Sequence, residues 1–329
     1  MNWQRSGFLP PRWLRSPHVQ SVLSSSPLRA IGARRRLHAI DAIHQAVVLE
    51  VGHGVRLQGV HSTRPGIEPR GLVLLLHGWE GSVDSNYMRL TAARLLESGF
   101  AVFRLNFRDH GDSHHLNEGL FHSNRIDEVV DAVRAIATRW PARPLFAAGY
   151  SLGGNFALRL ALRAHSHGLP LQRVAAVCPL LDPARTMDAM EAGLPLYMRY
   201  FERKWRRSLA RKRSLFPQAH GFADEVLNLR MRALTEWMVL RHTDFATLDD
   251  YFEGYSVAGE RLRALPIPVD ILMAADDPVI PLREFEQVAG FPNVRVELAA
   301  HGGHCGFIEN ALLEGYAERW VTERLLAHA

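Results

Sequence analysis

Ser151 is the residue of this 329-residue chain whose surroundings point most directly to chemistry. It lies between Gly149 and Gly153 in a G-x-S-x-G pattern that follows the apolar run 144–148. This layout is typical of a nucleophile elbow, in which a buried strand turns sharply into a helix and exposes the serine hydroxyl. The turn needs the flanking glycines because it leaves no room for side chains. As so short a pattern also occurs by chance, an ordinary turn serine is the alternative.

Residues 77–81 read His-Gly-Trp-Glu-Gly and follow the strand-like run 71–76. A turn of this kind after a central strand can direct a backbone N–H group at a developing oxyanion. The expected donors are the N–H groups of Trp79 and of Leu152, which directly follows Ser151. His77 and Gly78 would shape the turn. The alternative is an ordinary turn at a strand end.

A carboxylate and a histidine are the residues that would act together with Ser151. Each candidate follows an apolar run near the end of the chain. Asp277 opens a D-P-V-x-P loop and is the preferred acid, with Asp276 as the alternative because strand ends are uncertain from sequence. His304 precedes the last helix and is the expected general base, with His301 as the second candidate. A helix-capping aspartate and a structural histidine are the other interpretations. The order Ser, Asp, His along the chain favours catalysis.

Strands and helices alternate from residue 71 onward, after a strand pair at 47–51 and 55–61. The spacing of apolar residues predicts a helix over 126–137 and a final helix from about Asn310. The alternation predicts an α/β fold with a mostly parallel central sheet flanked by helices, whose catalytic loops gather at the carboxyl ends of the strands. Apolar runs place the strands at 72–76, 101–106, 145–150, 174–178, 269–274 and 294–299.

Two segments depart from this alternation. Residues 1–40 are basic, and their prolines predict an irregular segment that packs on the core. Residues 183–266 carry helical patterns and predict a cap-like helical insertion before the acid-bearing strand, which would shape the substrate pocket. The core would then comprise residues 41–182 and 267–329.

The insertion contains an apolar stripe at helical spacing, formed by Met198, Phe201, Trp205 and Leu209. A basic amphipathic helix of this kind could make weak contact with a membrane surface or an acidic substrate. The more common alternative is a solvated basic face on a packed helix. The cations that surround the stripe are Arg203, Lys204, Arg206, Arg207, Arg211, Lys212 and Arg213.

The composition of the chain argues against several classes of protein function. Hydrophobic residues make up 47% and charged residues 22% of the chain, as in soluble globular proteins, and the formal net charge is +5. Beyond this modest charge nothing points to a nucleic-acid partner. The sequence shows no signal peptide and no membrane-spanning run, and its two cysteines, Cys178 and Cys305, give no disulfide framework, so we expect a cytoplasmic protein. Because zinc, P-loop and dinucleotide signatures are absent, no metal or cofactor is expected.

These motifs together resemble those of the α/β-hydrolases, and more specifically of the YheT-like family, which is related to ABHD1/ABHD3-type proteins. The resemblance runs from Phe8 to the last helix. It implies hydrolysis of carboxylic esters with Ser151, Asp277 and His304 as a catalytic triad. The segments that carry it are the N-terminal segment 10–20, the elbow 149–155, the acid loop 276–278 and the histidine loop 301–307.

The sequence thus predicts a cofactor-independent serine esterase that acts on short- to medium-chain or lipid-like esters through an acyl-enzyme. One alternative is an amidase or peptidase, because the same triad cleaves amides. Another is a non-catalytic binding module on the same fold, although such modules usually lose a member of the triad. The oligomeric state and the physiological ester are not predicted.

Overall fold

A central sheet organises the chain in the computed structural model, which describes residues 3–142 and 144–329. The strand order within these residues is β1-β9-β8-β7-β6-β4-β5-β3-β2. The strands are β1 Gln4–Arg5, β2 Ile43–Val51, β3 Val55–Thr63, β4 Leu72–Leu76, β5 Ala101–Leu105, β6 Leu145–Tyr150, β7 Leu171–Val177, β8 Val269–Ala274 and β9 Val294–Ala299.

Helices cover both faces of this sheet and form most of the segment between β7 and β8. They are α1 Pro17–Ser24, α2 Pro27–His38, α3 Asn86–Glu97, α4 Ile126–Arg139, α5 Leu152–Arg163, α6 Pro183–Ala192, α7 Pro195–Leu215, α8 Met231–His242, α9 Leu248–Tyr255, α10 Arg283–Val288 and α11 Tyr316–Leu326.

The sheet is parallel except at one edge, where β2 pairs with β3 and β3 with β5 in antiparallel fashion. Every residue of β4, β5, β6 and β8 is buried. Such buried strands, apolar except for Arg104 and Asp270, are typical of a parallel sheet covered on both faces. The predicted α/β fold with a mostly parallel central sheet flanked by helices is therefore confirmed, with strands at or near the predicted positions.

The N-terminal segment contradicts the expectation of irregular structure, because α1 and α2 both lie within it. Pro17 and Pro27 each occupy the first turn, where a helix does not use the backbone N–H. The side chains of Ser16 and Ser26 accept hydrogen bonds from Val19 N and Arg29 N and so cap the two helices. These prolines therefore begin helices and do not break them.

The final helix also begins later than predicted, at Tyr316 and not near Asn310. The Asn310 side chain accepts hydrogen bonds from the N–H groups of Leu312 and Glu314 and so favours a turn over a helix. Leu312 is 82% exposed, and Leu313 has a positive φ of 59°. Residues 310–315, where the apolar spacing predicted the start of the helix, therefore form a surface turn.

Four helices, α6 to α9, lie within residues 183–266, and the boundaries of a separate insertion remain a prediction. Met198, Trp205 and Leu209 of the predicted stripe on α7 are buried. Lys212 does not lie on a solvated basic face. Its ammonium group is buried and pairs with the Asp109 carboxylate at 2.7 Å, which ties α7 to the loop after β5.

Removal of the Lys212 charge tests the contribution of the Lys212–Asp109 ion pair to stability. Lys212→Met leaves the Asp109 carboxylate buried without its counter-ion and should lower the free energy of unfolding by about 3–5 kcal/mol in urea denaturation. The matched control is Arg211→Met, which breaks the exposed pair of Arg211 with Asp112 and should cost less than about 1 kcal/mol. Equal stability of the two variants would contradict the assignment.

Candidate active site

Ser151 occupies the sharp turn between β6 and α5, with φ 54° and ψ −120°. A non-glycine residue is strained in this conformation, and such strain occurs mainly at functional sites. The turn is held where β4 ends. A Cβ atom on Gly153 would collide with the carbonyl oxygens of Leu76 and His77, and one on Gly149 would collide with the backbone of Gly153. The two glycines are thus required by close backbone contact, as predicted.

The three predicted triad residues lie in one hydrogen-bonded chain. His304 Nε2 lies 2.9 Å from Ser151 Oγ, and His304 Nδ1 lies 2.9 Å from Asp277 Oδ2. The other carboxylate oxygen of Asp277 accepts hydrogen bonds from Val279 N at 2.8 Å and Ile280 N at 3.0 Å. The backbone therefore fixes the carboxylate, and the carboxylate fixes the imidazole ring.

The alternative residues, Asp276 and His301, lie beside this chain and not within it. Asp276 Oδ1 accepts a hydrogen bond from Gly303 N at 2.9 Å, and its other oxygen lies 3.6 Å from His301 Nδ1. Both contacts shape the loop that carries His304. The geometry therefore favours Asp277 over Asp276 and His304 over His301.

The pKa of His304 reflects two opposed effects. Burial lowers it, but the Asp277 carboxylate raises it, with a smaller contribution from the neighbouring Cys305, and the net pKa is about 9. A carboxylate beside a buried imidazole stabilises the protonated ring. The site is thus suited to accept and hold a proton from Ser151.

The backbone N–H groups of Trp79 and Leu152 donate to no protein acceptor in the described parts of the chain. The Trp79 loop has a fixed shape, with a positive φ of 54° at Glu80 and a hydrogen bond of 2.9 Å from Gly81 N to Gly78 O. Free N–H groups on a rigid turn beside a nucleophile can bind an oxyanion without reorganising.

Two buried histidines support this loop. His77 Nδ1 donates to Gly78 O at 2.7 Å while its Nε2 accepts from Phe107 N, and burial lowers its pKa to about 4. His110 Nε2 accepts a hydrogen bond from Glu80 N at 3.1 Å. The two neutral rings hold the turn in place through these hydrogen bonds. The sequence predicted that His77 shapes the turn. It predicted no role for His110, which lies in the motif Asp-His-Gly after β5.

The N-terminal helix α1 holds the histidine loop. Ser21 Oγ accepts a hydrogen bond from His304 N at 2.9 Å. The side chain of Gln20 is fully buried, donates to Leu14 O and Ile308 O, and accepts from Ile308 N. In the sequence this segment stands out only through the family resemblance, because such long-range contacts leave no local pattern.

The helix α7 holds the opposite side of the site. The Trp79 ring stacks on Phe201 at 5.5 Å and meets Trp205 edge-on at 5.4 Å. Lys204 Nζ donates to Glu80 O at 2.8 Å. The 203–213 stretch therefore braces the Trp79 loop through some of its residues, while others remain exposed.

Two cavities meet at Ser151. Cavity A, about 100 Å³, is apolar, and each of the helices α6 to α9 contributes to its wall. Cavity B, about 510 Å³, lies between α1, the start of α3 and α7. Trp79, Ser151 and Phe201 line both cavities, so the stacked rings form part of the wall between them.

The thiols of Cys178 and Cys305 and a ring nitrogen of His304 lie within 4.8 Å of one another. Both cysteines are buried and free. Such a group could hold a thiophilic metal ion. Both nitrogens of His304 already contact Ser151 and Asp277, so an ion here would compete with those contacts.

Comparisons with known proteins agree with this fold. Residues 71–311 match the model of the alpha/beta hydrolase fold. The chain belongs to the alpha/beta hydrolase family. It is 26% identical over 323 residues to YheT of Escherichia coli (strain K12), provisionally named an esterase, which covers 97% of this chain and 91% of that protein. It is 27% identical over 253 residues to the phospholipase ABHD3 of Mus musculus, covering 75% of this chain and 59% of that one.

Among solved structures, the esterase Pf2001 of Pyrococcus furiosus is similar in fold, with a TM-score of 0.56 and 16% identity over 99% of this chain and 94% of that one. The family resemblance predicted from the sequence is thus confirmed. Within the described residues, none of the helices is both apolar enough and long enough to span a bilayer.

Gly153→Ala tests the close contact that shapes the elbow. The added methyl group has only backbone to displace, so the free energy of unfolding should fall by about 1–3 kcal/mol or more. The same substitution at Gly32, exposed on α2 with nothing within 4 Å of the new methyl group, should instead stabilise by about 0.5–1 kcal/mol. Urea denaturation of both variants gives the comparison, and a neutral Gly153→Ala would contradict it.

Proposed function

We propose that this protein is a carboxylic ester hydrolase that works through Ser151 as nucleophile, His304 as general base and Asp277 as the residue that orients His304. The observation that carries the proposal is the continuous chain of 2.9 Å contacts from Ser151 to His304 to Asp277 on a nucleophile elbow. Two unpaired N–H groups beside it supply an oxyanion site. The named activities of YheT and ABHD3, an esterase and a phospholipase, support the same reaction class.

The reaction follows from these positions. His304 Nε2 takes the proton of Ser151 Oγ as the oxygen attacks the ester carbonyl. Asp277 holds the ring in the required tautomer and stabilises the imidazolium. The N–H groups of Trp79 and Leu152 stabilise the oxyanion by about 3–4 kcal/mol each. His304 then protonates the leaving alcohol, and water releases the acid from the acyl-enzyme by the same steps.

Ser151→Ala should abolish hydrolysis of p-nitrophenyl esters while leaving the fold intact, because the variant lacks only the attacking oxygen. A series from acetate to decanoate, with fluorophosphonate labelling of the same samples, measures turnover and nucleophile together. Ser166→Ala removes an exposed serine hydroxyl and should behave as wild type in both assays. Hydrolysis by Ser151→Ala at the wild-type rate would contradict the proposal.

The pH dependence tests the roles of His304 and Asp277. His304 accepts a proton only when neutral, so kcat/KM should rise with pH and level off above a pKa of about 9. Asp277→Asn removes the charge that raises this pKa. The substitution should therefore shift the rising limb of the pH profile of kcat/KM to lower pH. It should also lower kcat, by up to about 10⁴-fold.

The matched control is Asp276→Asn, which removes an adjacent carboxylate that makes no contact with His304 and should leave the limb near its wild-type position. A shift of the limb in Asp276→Asn and not in Asp277→Asn would move the acid to Asp276.

A further inference from the structure

The position of His304 decides which cavity receives which half of the ester. In the proposed reaction, His304 Nε2 delivers a proton to the oxygen of the departing alcohol, so that oxygen must lie on the His304 side of Ser151. Of the two cavities, His304 lines only cavity B, whereas Leu152 lines only cavity A. The alcohol therefore belongs in cavity B and the acyl chain in cavity A.

Cavity A suits an acyl chain because aromatic and aliphatic side chains form most of its wall. Cavity B differs in charge. Its described lining includes Lys204 and no Asp or Glu residue. Ser26 and Pro27 also line it, so the positive end of α2 faces the same space.

The ammonium group of Lys204 has N–H donors that its contacts within the protein leave unused. Its Nζ donates to Glu80 O at 2.8 Å and lies 5.0 Å from the centre of the Tyr200 ring. No carboxylate of the described residues forms an ion pair with it. An ammonium group has three N–H donors, so further donors are available to a ligand in cavity B. The nearby Glu80 carboxyl is a weak counter-ion, because burial raises its pKa to about 8.

Resting on the proposed function, we propose that cavity B is the alcohol subsite and that Lys204 makes it selective for esters whose alcohol carries an anionic group, a carboxylate or a phosphate. Water is added across the ester bond. The acid leaves from cavity A, and the alcohol leaves from cavity B with its anionic group unchanged. Lys204 acts in binding and takes no part in proton transfer.

Two pairs of esters with the same acyl chain test this. One pair is 4-(butyryloxy)benzoate and its neutral amide analogue 4-(butyryloxy)benzamide. The other is 1-butyrylglycerol 3-phosphate and 1-monobutyrin, which separates a phosphate preference from a carboxylate preference. The readout is the ratio of kcat/KM for the anionic ester to that for its neutral partner, because a ratio cancels any general loss from a loosened Glu80 contact.

The wild-type ratio should be about tenfold or more in at least one pair, as one charge-assisted hydrogen bond would give. Lys204→Met should bring that ratio close to one, and Lys204→Arg should retain much of it. The matched control is Arg203→Met, which removes an exposed cation of the same helix that lines neither cavity and should keep the wild-type ratio.

The outcomes separate this inference from the proposed function. Hydrolysis of the neutral esters with no anionic preference, or a preference that survives in Lys204→Met, would overturn the alcohol subsite and leave the esterase intact. Hydrolysis of none of the four esters, with Ser151 unlabelled by fluorophosphonate, would overturn both.

Discussion

The close approach of the β4 and β6 ends is the constraint on which the site depends. Gly153 lies so near the carbonyl oxygens of Leu76 and His77 that only glycine fits, and Ser151 is held at φ 54° as a result. The same approach places the Trp79 loop, which follows β4, beside the hydroxyl group. One backbone contact therefore sets both the exposed hydroxyl group of Ser151 and the proposed oxyanion donors. The buried parallel strands support the strained conformation of Ser151.

The remaining parts of the site are held by elements from distant parts of the chain. Ser21 of α1 fixes the backbone of His304, and Phe201, Lys204 and Trp205 of α7 brace the Trp79 loop. His18 Nδ1 also contacts the hydroxyl group of Tyr197, a residue that lines cavity B, at 2.8 Å, and this contact joins α1 to α7. The N-terminal segment and the helices after β7 thus hold the Trp79 loop and the His304 loop in place and supply much of the lining of cavity B.

The sequence indicated the positions of the candidate site residues more fully than the contacts that hold them in place. Ser151, Asp277 and His304 are marked by local motifs after apolar strands, and the sheet topology brings strand ends together, so their meeting could be foreseen. The sequence favoured Asp277 but left Asp276 as the alternative, because a one-residue shift at a strand end decides which carboxylate faces the imidazole. Pro17 and Pro27 predicted irregular structure but begin helices, since proline opens a helix as readily as it breaks one. The contacts of Gln20, His110 and Lys212 are tertiary and leave no periodic signal.

The acyl-enzyme is the most direct test of the central claim. The protein would be mixed with p-nitrophenyl butyrate, quenched in acid during the first turnovers, digested and examined by mass spectrometry. The account predicts a burst of p-nitrophenol and one butyryl group on the peptide that carries Ser151. A butyryl group on Cys305, which lies next to His304 and lines cavity B, or turnover without any acyl-protein, would contradict it.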